Sequence, residues 1–183
     1  MVNQDPQPEI FETVHTFDYT GGNIAANTMR SVDVFTYQAN NEEFRLYAIK
    51  VEMLGTVDYA GVVTPNIELS CCNILGADTA GATNIADMTF SPQNAGAASF
   101  GGMDFNIGIR VGGQLVPSTT FDASSIFCKD DKTLAFACPV IVLFKQPFQI
   151  EVSNATQLTA LANYGVRTVK VTLIGEIGIQ KQY

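Results

Sequence analysis

The sequence predicts an all-β protein, and three observations carry that prediction. Near the C-terminus Val169, Val171, Leu173, Ile177 and Ile179 alternate with Thr168, Lys170, Thr172, Glu176 and Gln180. A period of two places one face of a strand in a core and the other in water, so Val169, Val171 and Leu173 are predicted core positions of that strand. The same alternation recurs at Met103–Val111 and Phe44–Leu54. Little amphipathic helix separates these runs.

Taken in order, strands are expected near 10–19, 30–37, 43–54, 66–75, 86–90, 103–111, 133–144, 147–153 and 166–179. Gly21-Gly22-Asn23 and Asn40-Asn41 tolerate positive φ and read as turns. Gly112-Gly113, between Ile109-Arg-Val111 and Gln114-Leu-Val116, reads as a tight hairpin. Gln146-Pro147 ends an apolar run before the clean alternation Phe148-Gln-Ile-Glu-Val152. Gly76–Phe100, rich in Ala, Gly, Asn and Thr, and the polar Pro117–Asp131 read as loops, the second with room for a helical turn. Thr156–Ala162 fits one two-turn helix with Asn154 or Ser153 near its start. No solenoid or propeller period and no dividing linker is found, so the expected organisation is a flexible arm over 1–9 and one domain over 10–183.

Eight or nine strands joined by both tight turns and long loops point to two packed antiparallel sheets. Long loops favour Greek-key crossovers over a meander. The expected architecture is therefore a single jelly-roll β-sandwich or barrel of about eight antiparallel strands, with at most one or two short helices. In that topology the last strand lies deep in one sheet beside an early one. Its freedom from proline suits a central place better than an edge.

Composition narrows the functions. The 183 residues include 10 basic and 18 acidic ones, a net charge of −8. Such a surface repels phosphate, which argues against direct nucleic-acid binding and against docking on anionic lipid through a basic patch. The longest apolar stretch, Leu134–Phe144, contains Pro139 and falls far short of the ~20 residues of a spanning helix. Met1–Pro8 has neither the cationic flank nor the apolar run of a secretory signal. The expectation is a protein intracellular when made, or one already processed.

No catalytic, cofactor-binding or metal-ligating set emerges. Cys71, Cys72, Cys128 and Cys138 lack C-x-x-C spacing and His15 is the sole histidine, so zinc is not expected. The cysteines read as small buried hydrophobes; the sharper alternative is an intersubunit disulfide through Cys72 or Cys128. His15 shares a strand face with Thr13, Phe17 and Tyr19, opposite Val14 and Asp18, so local spacing makes no Asp–His relay. No Gly-x-Ser-x-Gly elbow occurs. Glu68 and Glu151 are candidates for a glycosidase pair, yet acids at alternating strand positions are ordinarily solvated and Trp, the usual sugar platform, is absent. Lys129-Asp-Asp-Lys132 reads as a solvated turn rather than a calcium loop, and Asn154-Ala-Thr156 matches a glycosylation sequon only by letters.

What remains suits an assembly subunit. Charged residues are only 15%, and twelve Phe and six Tyr exceed the needs of one core, so some aromatics are expected at contacts. In length, acidity, strand succession and the terminal Val166–Ile179 strand, the chain resembles the smaller, single jelly-roll (vertical β-barrel) major capsid protein of icosahedral internal-membrane viruses of haloarchaea and related thermophilic bacteriophages. That resemblance implies a structural virion protein, made in the host cytoplasm and residing in the capsid. It would pack with its own copies and other capsid proteins above an internal viral membrane, with no enzymatic activity or cofactor. Met1–Thr20 carries no Lys or Arg, consistent with a shell that does not condense its genome. The alternative is a β-sandwich binding module: carbohydrate-binding, adhesin-like or capsid-decorating.

Overall fold

The computed structural model describes residues 9–19, 24–35, 42–59, 62–68, 105–127, 129–143, 145–155, 157 and 164–179. Ten strands and one short helix run through them: β1 (Glu9–Asp18), β2 (Met29–Phe35), β3 (Glu42–Tyr59), β4 (Val62–Glu68), β5 (Phe105–Val111), β6 (Gln114–Leu115), β7 (Phe121–Asp122), α1 (Ala123–Phe127), β8 (Thr133–Val142), β9 (Phe148–Asn154) and β10 (Tyr164–Ile179). The expected strand near 86–90 and the expected helix at Thr156–Ala162 fall outside the described residues, apart from Gln157.

All ladders are antiparallel. One sheet has the order β1-β10-β3-β4, with β8 also on β3; the other has the order β2-β9-β5-β6, with β7 also on β5. This interleaving is the jelly roll: β1, β10, β3 and β8 face β2, β9, β5 and the short β6 and β7. The last strand lies between the first and third, paired with β1 from Glu9↔Ile177 to Asp18↔Thr168 and with β3 along nearly its whole length.

β3 is longer than its apolar run suggested. Its first half carries β8 (Phe44↔Val142 to Lys50↔Thr133) and its second half carries β4 (Leu54↔Glu68 to Tyr59↔Val62). The register shifts between Leu46 and Ala48: against β10 Tyr47 is the extra residue on β3, and against β8 the stretch Phe136–Pro139 bulges opposite it. A bulge bends the strand and re-aims its side chains. Here it changes which parity of β3 points inward: Phe44 and Leu46 before it, Ile49, Val51 and Met53 after it, all buried.

The core lies between the sheets. Phe17, Phe44, Ile49, Val51, Met53, Val142, Val169, Val171 and Leu173 come from the first; Phe105, Ile107, Ile109, Phe148, Ile150 and Val152 come from the second. Phe44 and Phe148 meet across the gap with ring centroids 5.4 Å apart. Just past β1, Tyr19 is buried against Phe105 and donates its hydroxyl proton to the Val152 carbonyl at 2.6 Å. Burial pushes that phenol up to about 12, against the opposing pull of the Arg30 guanidinium over its ring.

The turns follow their residues. Gly112 and Gly113 take φ of 61° and 82° between Val111 and Gln114, the two positive values that a two-residue I′ hairpin needs. Asp122 caps α1, accepting from the Ser124 and Ser125 amides at 3.1 and 3.2 Å. Ala123, Ile126 and Phe127 of that single turn are buried against β3, β5 and β8.

Candidate functional site

Val169, Val171 and Leu173 are fully buried in β10; their work is structural. Glu68 lies on β4 in the first sheet and Glu151 on β9 in the second. Alternation with Ile150 and Val152 turns Glu151 outward. It lies across Gly108, its register partner on β5, where an added Cβ would meet Leu115 at 3.0 Å and a Glu151 carboxylate oxygen at 3.3 Å. Arg110 pairs with this carboxylate and also donates to the Gly113 carbonyl. Glu151 is thus a clamped strut of the sheet exterior.

The remaining chemical candidates disperse as well. Asp130 and Asp131 are exposed on a turn, where Asp131 accepts from the Thr133 amide. Asn154 is buried, and its amide donates to the Ala25 carbonyl at 2.9 Å, so it is no glycan acceptor in this fold. Cys72 and Cys128 fall outside the described residues; Cys138 is exposed on the β8 bulge. Among the described residues no three His, Cys, Asp or Glu side chains gather as metal ligands, and no helix is long and apolar enough to cross a membrane.

His15 faces the interior with Phe17, as alternation predicts, opposite Val171 on β10. Its Nε2 is buried with no hydrogen-bond partner among the described residues. Burial holds its pKa below the ordinary 6.5. The unfolded chain therefore takes up a proton first as pH falls, so stability is full above about 6.5 and declines from there down through the folded pKa. Thermal melts from about pH 8 to about pH 5 should show the unmodified chain losing more Tm than His15→Gln. Equal pH slopes would show that His15 does not contribute.

What the fold does assemble is a broad exterior on the first sheet. Register aligns its outward residues in rows across four strands: Ile10, Glu176, Arg45 and Ile141; Glu12, Ile174, Ala48 and Ala135; Val14, Thr172, Lys50 and Thr133. The middle columns hold small, covered residues such as Ala48 and Thr172. They also hold ion pairs, Arg45 with Glu43 and Glu176, and Lys50 with Glu52. Tyr47, turned outward by the bulge, donates to Glu176, which pushes its phenol pKa up. The margins are different: Ile10 is 85% exposed and Val14 55% on β1, and Ile141 is 47% exposed on β8.

These aliphatic margins were missed from sequence, although Ile10 and Val14 break the polar alternation of their strand face. Some aromatics are expected at contacts, and the described aromatic side chains divide between core and surface. Phe17, Phe44, Phe105, Phe127 and Phe148 are buried, Phe11, Phe121 and Phe136 pack against the core, and Tyr47 is the exposed aromatic. The two-layer core between wide sheets takes the large rings. No protein-family model matches the chain, and no curated protein or solved structure matches it either.

Proposed function

We propose that the protein is a structural virion subunit, a capsid protein that associates with copies of itself and packs with other capsid proteins into an icosahedral shell. It does so as a scaffold, without chemistry of its own, and leaves the genome to other components. The observation that carries this reading is the exterior of the first sheet, pinned by ion pairs and edged with exposed aliphatic side chains. Broad contacts between rigid units need such a surface, and apolar margins left in water favour being covered. The jelly-roll order supports it as an architecture used for shells, with the warrant of analogy. The stretch Met1–Thr20 carries no lysine or arginine with which to bind phosphate. A carbohydrate-binding sandwich would instead present aromatic platforms, and the described phenylalanines face inward.

Light scattering after size exclusion, followed by electron microscopy of the purified chain, tests this. Discrete oligomers or lattice-like arrays are expected, alone or on mixing with partner capsid proteins. A chain that stays monomeric under both conditions and binds glycans overturns the reading. In that family-like setting the site would be the virion, with the membrane beneath the shell as neighbour.

A further inference from the structure

We propose that β1 is an acid-released strand: protonation of His15 frees residues 9–16 from β10 and leaves the rest of the sandwich folded. The inference goes beyond the assembly reading and does not rest on it. His15 turns toward the interior beside Phe17, opposite Val171 on β10. Its Nε2 is buried and has no hydrogen-bond partner among the described residues. A neutral imidazole tolerates that setting, because one of its two ring nitrogens carries no proton. An imidazolium carries an N–H on both, and a buried cation with an unmet donor is costly.

The packed elements supply no counter-charge on that face among the described residues. On β10 the inward residues flanking Val171 are Val169 and Leu173, while Lys170 and Glu176 take the outward parity. On β2, the strand of the second sheet that β1 approaches, Val32 and Val34 pack against the core. Arg30 of that strand reaches over the Tyr19 ring, and Asp33 accepts from Gln149 on the outside. On β1 itself Glu9, Glu12 and Asp18 are exposed, the last two on the face opposite His15, and Tyr19 donates to the Val152 carbonyl. Arg30 is a cation and would repel an imidazolium, not balance it. Burial already holds the ring's pKa below the ordinary 6.5.

The way β1 is held confines the release to this strand. Among the described residues its ladder is with β10 alone, whereas β10 is bonded on both sides. Of its ten residues only Phe17 is buried. Just beyond, Tyr19 is anchored by Phe105 and the Val152 carbonyl. The hinge therefore falls between His15 and Phe17, and opening also breaks the edge contact of Phe11 with the Phe44 ring. Lightly buried strands held by one ladder open at lower free energy than the core. In water the freed ring titrates near its ordinary value, so acid favours the open form. The opening constant rises as pH falls through about 6.5 and levels off below the folded pKa.

Native-state hydrogen exchange of the full chain at about pH 7.5 and about pH 5.5, corrected for intrinsic rates, tests the release. Carboxylates, with ordinary values of about 3.9 and 4.3, stay ionised over that range. Opening constants of the amides in the β1–β10 ladder should rise by about two- to tenfold, tenfold being the ceiling for one histidine. Amides of the β3–β10 and β5–β9 ladders should hold. In His15→Gln, which stays neutral, the rise should vanish. A rise that persists in His15→Gln removes the histidine as trigger, and β5–β9 amides opening in step with β1 would show global unfolding instead of strand release. An unmodified chain with no rise overturns the proposal outright. Should His15→Gln fail to fold, nuclear magnetic resonance titration of the unmodified chain decides, since its one histidine needs no assignment. A ring titrating at 6.5 or above while the β1 amides stay protected overturns the release.

Discussion

Val171→Asp is expected to abolish soluble folding. Val171 is fully buried at the middle of β10, flanked across the ladder by His15 on β1 and Val51 on β3. A carboxylate there leaves water without gaining adequate partners, a loss of about 4–5 kcal/mol or more against a total stability of only about 5–15 kcal/mol. The one polar neighbour directly opposite is His15, whose own burial favours the neutral ring. An ion pair with it would have to desolvate both charges, which seldom stabilises a core. Because β10 joins β1 to β3, its loss undoes the first sheet, not one strand. The measurement is soluble yield with circular dichroism of whatever is recovered. A cooperatively melting variant close to the unmodified Tm would mean that this face of β10 is not in the core.

That strand was also the most legible part of the sequence. β9 and β10 alternate without interruption, and the burial of Ile150, Val152, Val169, Val171 and Leu173 follows their period of two. The Gly112-Gly113 hairpin was legible because glycine is the residue that positive φ selects. β3 and β8 were legible as strands but not in their bends. A bulge adds a residue without any compositional mark, so Tyr47 switches the inward parity of β3 unannounced. Phe136–Pro139 looked like part of one continuous apolar run for the same reason.

The candidate surface was less legible still, because which strand ends at a margin is decided by long-range pairing. Nothing between Glu9 and Asp18 states that β10, from the other end of the chain, will cover one edge, or that no strand among the described residues covers the other. The ion-paired exterior has the same origin: Arg45 and Glu176 are separated by most of the sequence and meet only through register.

The register shift at Ile174/Gly175 has a direct energetic consequence. Gly175→Ala should cost about 2–3 kcal/mol, lowering Tm by about 4–12 °C for a chain of this size. Gly175 is buried on β10 where β3 approaches closely. A Cβ built there would overlap the Arg45 carbonyl oxygen and stand 2.8 and 2.9 Å from two carbons of the Phe44 ring. The ring alone could yield, but Phe44 is wedged between Phe11 and Phe148. The carbonyl belongs to the β3 backbone, so relief requires separating the two strands that tie the sheet together. Gly178, three residues on, is the internal control: a Cβ there meets nothing within 4 Å, so Gly178→Ala should stay within about 0.5 kcal/mol of the unmodified chain. Differential scanning calorimetry of the two variants separates close strand approach from any general loss on replacing glycine in β10. Equal Tm values would mean that β3 and β10 are not pressed together at Gly175, and the bulge would then need another cause.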